Sequence, residues 1–133
     1  QAEPRSERVV YCDGKADRST GKELQVYGDA NLLTLALINL IRNALQAVEG
    51  QEDGIVRVDT CAGATGHLLI IITDNGPGIP PERLSAIFTP FFSTKSGGSG
   101  IGLPISQRIM QLHGGQLSVS SIPNVRTEFR MEF

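Results

Sequence analysis

The sequence predicts an α+β fold: a two-layer α/β sandwich in which helices cover one face of a mixed, mainly antiparallel sheet. Three observations lead there. A long apolar-rich helical segment covers residues 30–48, and a second covers residues 103–113. Four segments of strand character, residues 54–61, 67–73, 116–121 and 127–133, are separated by turn-forming residues. The run 68–72 is apolar throughout and leads into Asp74-Asn75-Gly76-Pro77-Gly78-Ile79, so a strand suited to the middle of a sheet ends on a carboxylate and two glycines.

Length and composition bound the possibilities. The 133 residues suit one domain, 1–133, large enough to bury a core without disulfides or metal. A formal charge of -2 gives no electrostatic footprint for nucleic acid. Cys12 and Cys61 lie in strand-like segments with no CxxC spacing and no His pair nearby. They are expected to be reduced, inert thiols of a cytoplasmic protein, and zinc is not expected. No apolar stretch approaches a membrane span, and neither a signal peptide nor a membrane contact is expected of these residues. A first residue other than Met is the expected mark of a piece cut from a longer chain, and whether that longer chain is membrane-anchored stays open.

Residues 1–7 are polar and read as the remnant of a linker. Residues 8–13 and 23–27 look like short strands joined by a polar loop, 14–22. Asp29 then stands where a helix N-cap belongs, with Gly50 just past the far end of the helix. Leu37, Ile41, Ala44 and Val48 form one face and Leu33, Ile38, Leu40 and Leu45 the flanks, the pattern of a helix buried nearly all round. Asn39 and Asn43 interrupt it on one side, four residues apart, and Gln46 extends their polar stripe. Two amides on a buried helix need partners. Either they bond to core backbone, or their oxygens face a hydrated magnesium ion and the phosphates it carries.

Residues 62–66 are suited to a hairpin loop, after which His67 marks the start of the next strand. The apolar run reads as a central strand covered on both faces, which sends the Asp74 carboxylate into a protected cleft. A carboxylate there must accept hydrogen bonds. The exocyclic amine of an adenine is one donor, and Gly76 and Gly78 would let a flat ring lie against the main chain. A tight turn with a capping Asp is the competing reading.

Pro80 and Pro81 open a short helical turn ending near Ile87. Residues 89–100 read as a flexible flap pinned at one end by Phe91 and Phe92, with 93–99 expected to be mobile without a ligand. Gly100 and Gly102 lead into the second helix, whose first turn holds Pro104 and whose stop is Gly114-Gly115. Its N-terminal amides suit phosphate. His113 in its last turn is explained by the helix dipole. In the last strand Phe129, Met131 and Phe133 point inward and the charges outward.

The Asn39/Asn43 helix, Ile87-Phe88-Thr89-Pro90-Phe91-Phe92, the Asp74-x-Gly76-x-Gly78 turn and the Gly100-Ile101-Gly102-Leu103 helix entry together resemble the N box, phenylalanine box and two glycine boxes of sensor histidine kinases. The resemblance covers roughly residues 26–133. It implies the ATP-binding fold shared by gyrase, heat-shock chaperone, histidine kinase and mismatch-repair ATPases, with ATP and Mg2+ as ligands. By that resemblance Asp74 binds adenine, Asn43 binds magnesium and Asn39 lies beside the metal or phosphates. Gly76, Gly78 and Ile79 border the purine. Gly98, Gly100, Ile101, Gly102 and Leu103 form the hinge and phosphate cradle, and Lys95 is the cation nearest the γ-phosphate.

Departures from the family's pattern are informative. Many members carry Lys three residues after the second Asn and an aromatic next to it, where this chain has Gln46 and Ala47. More weight then falls on Lys95 and Arg42. Arg126-Thr127 stands where the family often has Gly-Thr. His67 and His113 match no phosphoacceptor motif, so the substrate histidine is expected on a separate dimerisation domain, dimeric in the full protein, with a response regulator downstream. Asn39 occupies the place where hydrolytic ATPases of this fold carry a water-activating Glu, and an amide takes no proton at neutral pH. Transfer is therefore favoured over hydrolysis. The alternatives are a nucleotide-binding module without catalysis, a hydrolytic ATPase and a serine kinase that regulates a sigma factor.

Overall fold

The computed structural model describes residues 9–12, 16–17, 22–23, 28–63, 67–89 and 102–133. Strands β1 (Val9–Cys12), β4 (Val56–Ala62), β5 (Leu68–Asp74), β6 (Gln116–Ile122) and β7 (Arg126–Glu132) form one sheet in the order β1-β4-β5-β7-β6. β1 runs parallel to β4 and every other pairing in that sheet is antiparallel. β2 (Ala16–Asp17) and β3 (Lys22–Glu23) pair separately. This is the predicted class, with one element the sequence did not suggest: part of the expected loop 14–22 is the short strand β2. Of the strand expected over 23–27, residues 24–27 lie outside the described residues.

The helix layer is α1 (Ala30–Ala47), α2 (Pro81–Leu84) and α3 (Gly102–Leu112). Asp29 caps α1 as expected, its Oδ1 accepting the backbone N–H of Asn31 and Leu32 at 2.9 and 3.0 Å. Past its end the chain turns at Gly50, where φ is +81°. The buried stripe of α1 is Ala36, Leu40, Ala44 and Val48: Ala44 and Val48 are as expected, while Ala36 and Leu40 stand in for Leu37 and Ile41, which pack beside it with Leu33 and Leu45. The small alanines explain this shift, because they let α3 come close enough for Ser106 Oγ to donate to the Ala36 carbonyl at 3.1 Å. α1 is also not buried all round. Leu32, Leu35 and Ile38 are exposed, since the sheet and α3 cover only two of its sides. α2 is shorter than expected, giving way to a turn at residue 85, although Ile87 still reaches the core.

Alternation along the strands divides the sheet into two faces. Val56, Val58, Ile72, Leu117, Phe129 and Met131 point at the helices and form the core. The opposite face carries the pairs Arg57–Asp59, Arg130–Glu128 and His67–Glu132 at 3.0, 2.8 and 3.2 Å. The expectation that β5 is covered on both faces therefore fails: Leu69 and Ile71 are only half-buried among these charges. An antiparallel sheet needs only one covered face. No helix among the described residues is long and apolar enough to cross a membrane.

Candidate functional site

Asp74 is the last residue of β5 and falls on the helix-facing side, in step with Ile72, so it enters the protein and is 2% exposed. Its Oδ1 accepts the Gly76 N–H at 2.9 Å. Across the sheet it faces Thr127 of β7, which is also buried. Thr127 Oγ1 lies 3.0 Å from Ser121 Oγ, and that hydroxyl accepts the Ile79 N–H at 2.8 Å. A carboxylate, two hydroxyls and the end of the glycine turn are thus gathered at one end of the sheet.

Thr127 and Ser121 were not among the residues expected in the site, although a signal existed. Thr127 shares the inward parity of Phe129 and Met131, and Ser121 that of Leu117. What was lacking was the register that sets Thr127 opposite Asp74.

The two glycines of the turn are needed for different reasons. A Cβ on Gly76 would stand 2.8 Å from the Ala47 carbonyl oxygen and 3.0 Å from Asp74 Oδ1, so the turn packs directly on the last turn of α1. Gly78 has φ of +84°, and a Cβ there would stand 2.8 Å from Pro123 Cα. Between them the Pro77 carbonyl accepts the Asn124 N–H at 2.8 Å.

Asn75 points away from the cleft. Its Nδ2 donates to the Asp53 carbonyl at 2.8 Å, its Oδ1 accepts the Ile55 N–H at 2.7 Å, and its own carbonyl accepts from Gln51 Nε2 at 3.0 Å. These bonds tie the turn to the α1–β4 connection. An open groove lined by Gln51, Asp53, Asn75, Gly76, Pro77, Asn124 and Val125 runs past the turn. Of the expected site residues it touches only Gly76.

The other half of the site is on α1. Asn39 is half-buried and donates from Nδ2 to the Gly102 carbonyl at 3.4 Å, placing it against the first turn of α3. Asn43, also half-buried, lies one turn further along, and Ala47 one turn beyond that. The stripe Asn39, Asn43, Ala47 therefore runs from the start of α3 to the Gly76 turn, over about 12 Å at the rise of an α-helix. Ile79 and Leu103 are half-buried and pack against the core.

Asn39, Asn43, Asp74, Gly76, Gly78, Ile79, Gly102 and Leu103 are thus described, while Lys95, Gly98, Gly100 and Ile101 lie outside the described residues, as do Phe91 and Phe92. Among the described residues no three His, Cys, Asp or Glu side chains gather where they could hold a metal ion. An amide oxygen, the donor type that Asn39 and Asn43 carry, is a hard ligand that would fit magnesium if phosphate oxygens and water supplied the rest.

Comparison with known proteins shows the family and the fold. The profile described as histidine kinase-, DNA gyrase B- and HSP90-like ATPase matches residues 28–133. Sensor histidine kinase ZraS of Salmonella typhimurium is 42% identical over 98 residues, which make up 74% of this chain and 21% of that protein. The chain spans about a fifth of the length of such relatives. Among solved structures, the mycobacterial sensor histidine kinase MprB superposes with a TM-score of 0.77 at 29% identity, covering 96% of this chain and 85% of that one. The nucleotide-free catalytic domain of histidine kinase ThkA gives 0.73 at 30% identity, covering 96% and 81%.

Proposed function

Since the chain belongs to the family of histidine kinase-, DNA gyrase B- and HSP90-like ATPases, as an ATP-binding domain of the sensor histidine kinase type, we propose that it presents Mg-ATP for γ-phosphoryl transfer to a histidine on a separate dimerisation domain. The observation that carries this reading is the α1 stripe. It connects a buried carboxylate at the Gly76 turn with the Asn39 amide at the start of α3, about two turns of helix apart. Asp74, backed by Thr127, takes the adenine amine at one end. Gly102 and the glycines before it receive phosphate at the other. Asn43 lies between and holds the magnesium.

Such a site positions and neutralises more than it reacts. Phosphoryl transfer needs little covalent chemistry from the protein, and magnesium supplies charge neutralisation on the phosphates. Asn39 donates to Gly102 and lacks the basicity to activate water, which leaves the nucleotide intact until an acceptor arrives. Lys95 is the cation for the γ-phosphate. The acceptor histidine, the homodimer that carries it and the response regulator belong to the longer protein, and residues 1–133 are its ATP-binding domain, joined through residues 1–7.

Incubating the domain with radiolabelled ATP and its own dimerisation domain as a separate chain tests the reading. Slow formation of an acid-labile, base-stable product on the dimerisation domain is expected, since untethering removes the high local concentration of a linked substrate. Fast hydrolysis by the domain alone, or transfer to serine, would move the chain to another branch of the family.

A further inference from the structure

The imidazole of His113 is fixed from both sides. Nδ1 lies 2.8 Å from the Ile109 carbonyl oxygen, one turn back in the helix, and Nε2 lies 3.0 Å from the backbone nitrogen of Asp29. A carbonyl can only accept and a backbone N–H can only donate. In this geometry Nδ1 therefore donates and Nε2 accepts. The ring also packs against the chain entering α1, where any side chain on Gly28 would collide with it.

Among the described residues, the contact is the outermost of three polar links, at 3.0, 3.1 and 3.4 Å, between the α1 and α3 segments. Along α1 they involve Asp29, Ala36 and Asn39, and along α3, in reverse, His113, Ser106 and Gly102. The helices are antiparallel, and the last link is the one in the nucleotide site. Sliding or tilting α3 at the His113 end displaces Gly102 from Asn39 at the other, because packed helices move as rigid units.

We infer that His113 is a positioning residue of the nucleotide site: an acceptor that holds the start of α1 to the end of α3 and so sets where Gly102 stands against Asn39. A side chain with no acceptor at the Nε2 position would lose the link. Few charged groups among the described residues lie on the elements around it. Asp29 Oδ1 already accepts two helix amides. Arg42 is the only charged residue within α1 and Arg108 the only one within α3, and β6, which packs on α3, has none. His67 lies on the open sheet face with Glu132.

This inference rests on the nucleotide reading, and the test separates the two. Mg-ADP affinity is measured by calorimetry at neutral pH. The proteins are the parent, His113→Gln, His113→Asn and, as control, His67→Gln. Gln can place an acceptor near the Nε2 position, whereas Asn reaches only the Nδ1 position. His113→Gln and the His67 control should match the parent. His113→Asn should bind about two- to tenfold more weakly, the range of one ordinary hydrogen bond.

Parent-like binding by His113→Asn would overturn the inference, as would binding by His113→Gln as weak as that of the Asn variant. If the Asn variant fails to fold, His113→Leu, which keeps the bulk and removes the acceptor, takes its place. Absence of Mg-ADP binding by the parent would remove the nucleotide site itself, and this inference with it.

Discussion

Replacing Asp74 with Asn tests adenine recognition with almost no change of shape. In the parent, Oδ1 is committed to the Gly76 N–H at 2.9 Å, a bond that holds the turn. The introduced side-chain amide must point its oxygen at that N–H, because the opposite orientation would set two donors against each other. Its nitrogen then takes the place of the second carboxylate oxygen, and the adenine amine meets a donor where it had met an acceptor. Hydrogen bonds to charged groups contribute about 1.5–3 kcal/mol, so ADP affinity should fall roughly ten- to a hundredfold. A base with a carbonyl in place of the amine matches the new donor, so IDP should lose much less than ADP or gain. Calorimetric titration of parent and variant with both nucleotides reads this, with thermal melting as a check on folding. Unchanged ADP affinity, or an equal loss for ADP and IDP in a folded variant, would show that Asp74 serves the turn and not the base.

Three further outcomes are expected. Gly78→Ala should lower stability by about 2–4 kcal/mol, combining a left-handed backbone with a Cβ 2.8 Å from Pro123 Cα. Gly50→Ala, with similar φ but nothing within 4 Å of its Cβ, should cost only about 1–2 kcal/mol, and equal melting temperatures for the two would refute the steric part. Asn43→Ala should abolish the advantage that magnesium gives to ATP binding while leaving adenosine binding nearly intact; equal magnesium dependence in variant and parent would contradict the metal assignment. Asn75→Ala breaks the side-chain bonds to Asp53 and Ile55 and should destabilise by about 1–3 kcal/mol in urea unfolding. An unchanged midpoint would mean that the α1–β4 connection holds without it.

Features governed by local chemistry were legible. The ends of α1 follow from the Asp29 cap and Gly50, and the inward set of β7 from plain alternation. The Asp74-x-Gly76-x-Gly78 spacing marked the turn, though only the fold showed why Gly76 must be glycine: the Ala47 carbonyl from another element lies against it. What remained hidden depends on partners distant in sequence. The parallel pairing of β1 with β4, the facing of Thr127 and Asp74, and the rotation of α1 towards Ser106 are set by register between elements. The role of His113 was hidden for the same reason. The helix dipole accounted for its place at the end of α3, while the backbone N–H it accepts from is 84 positions away.

The central claim is that nucleotide lies along the α1 stripe between the Gly76 turn and the start of α3. Backbone amide NMR shifts on titration with Mg-ADP test it most directly. The largest changes are predicted at Asn39, Asn43, Ala47, Asp74, Gly76, Ile79, Gly102 and Thr127, with the open sheet face around Arg57, Ile71 and Arg130 unaffected. Shifts confined to the groove of Gln51, Asp53, Asn124 and Val125, with Asn43 and Thr127 unmoved at saturation, would contradict it.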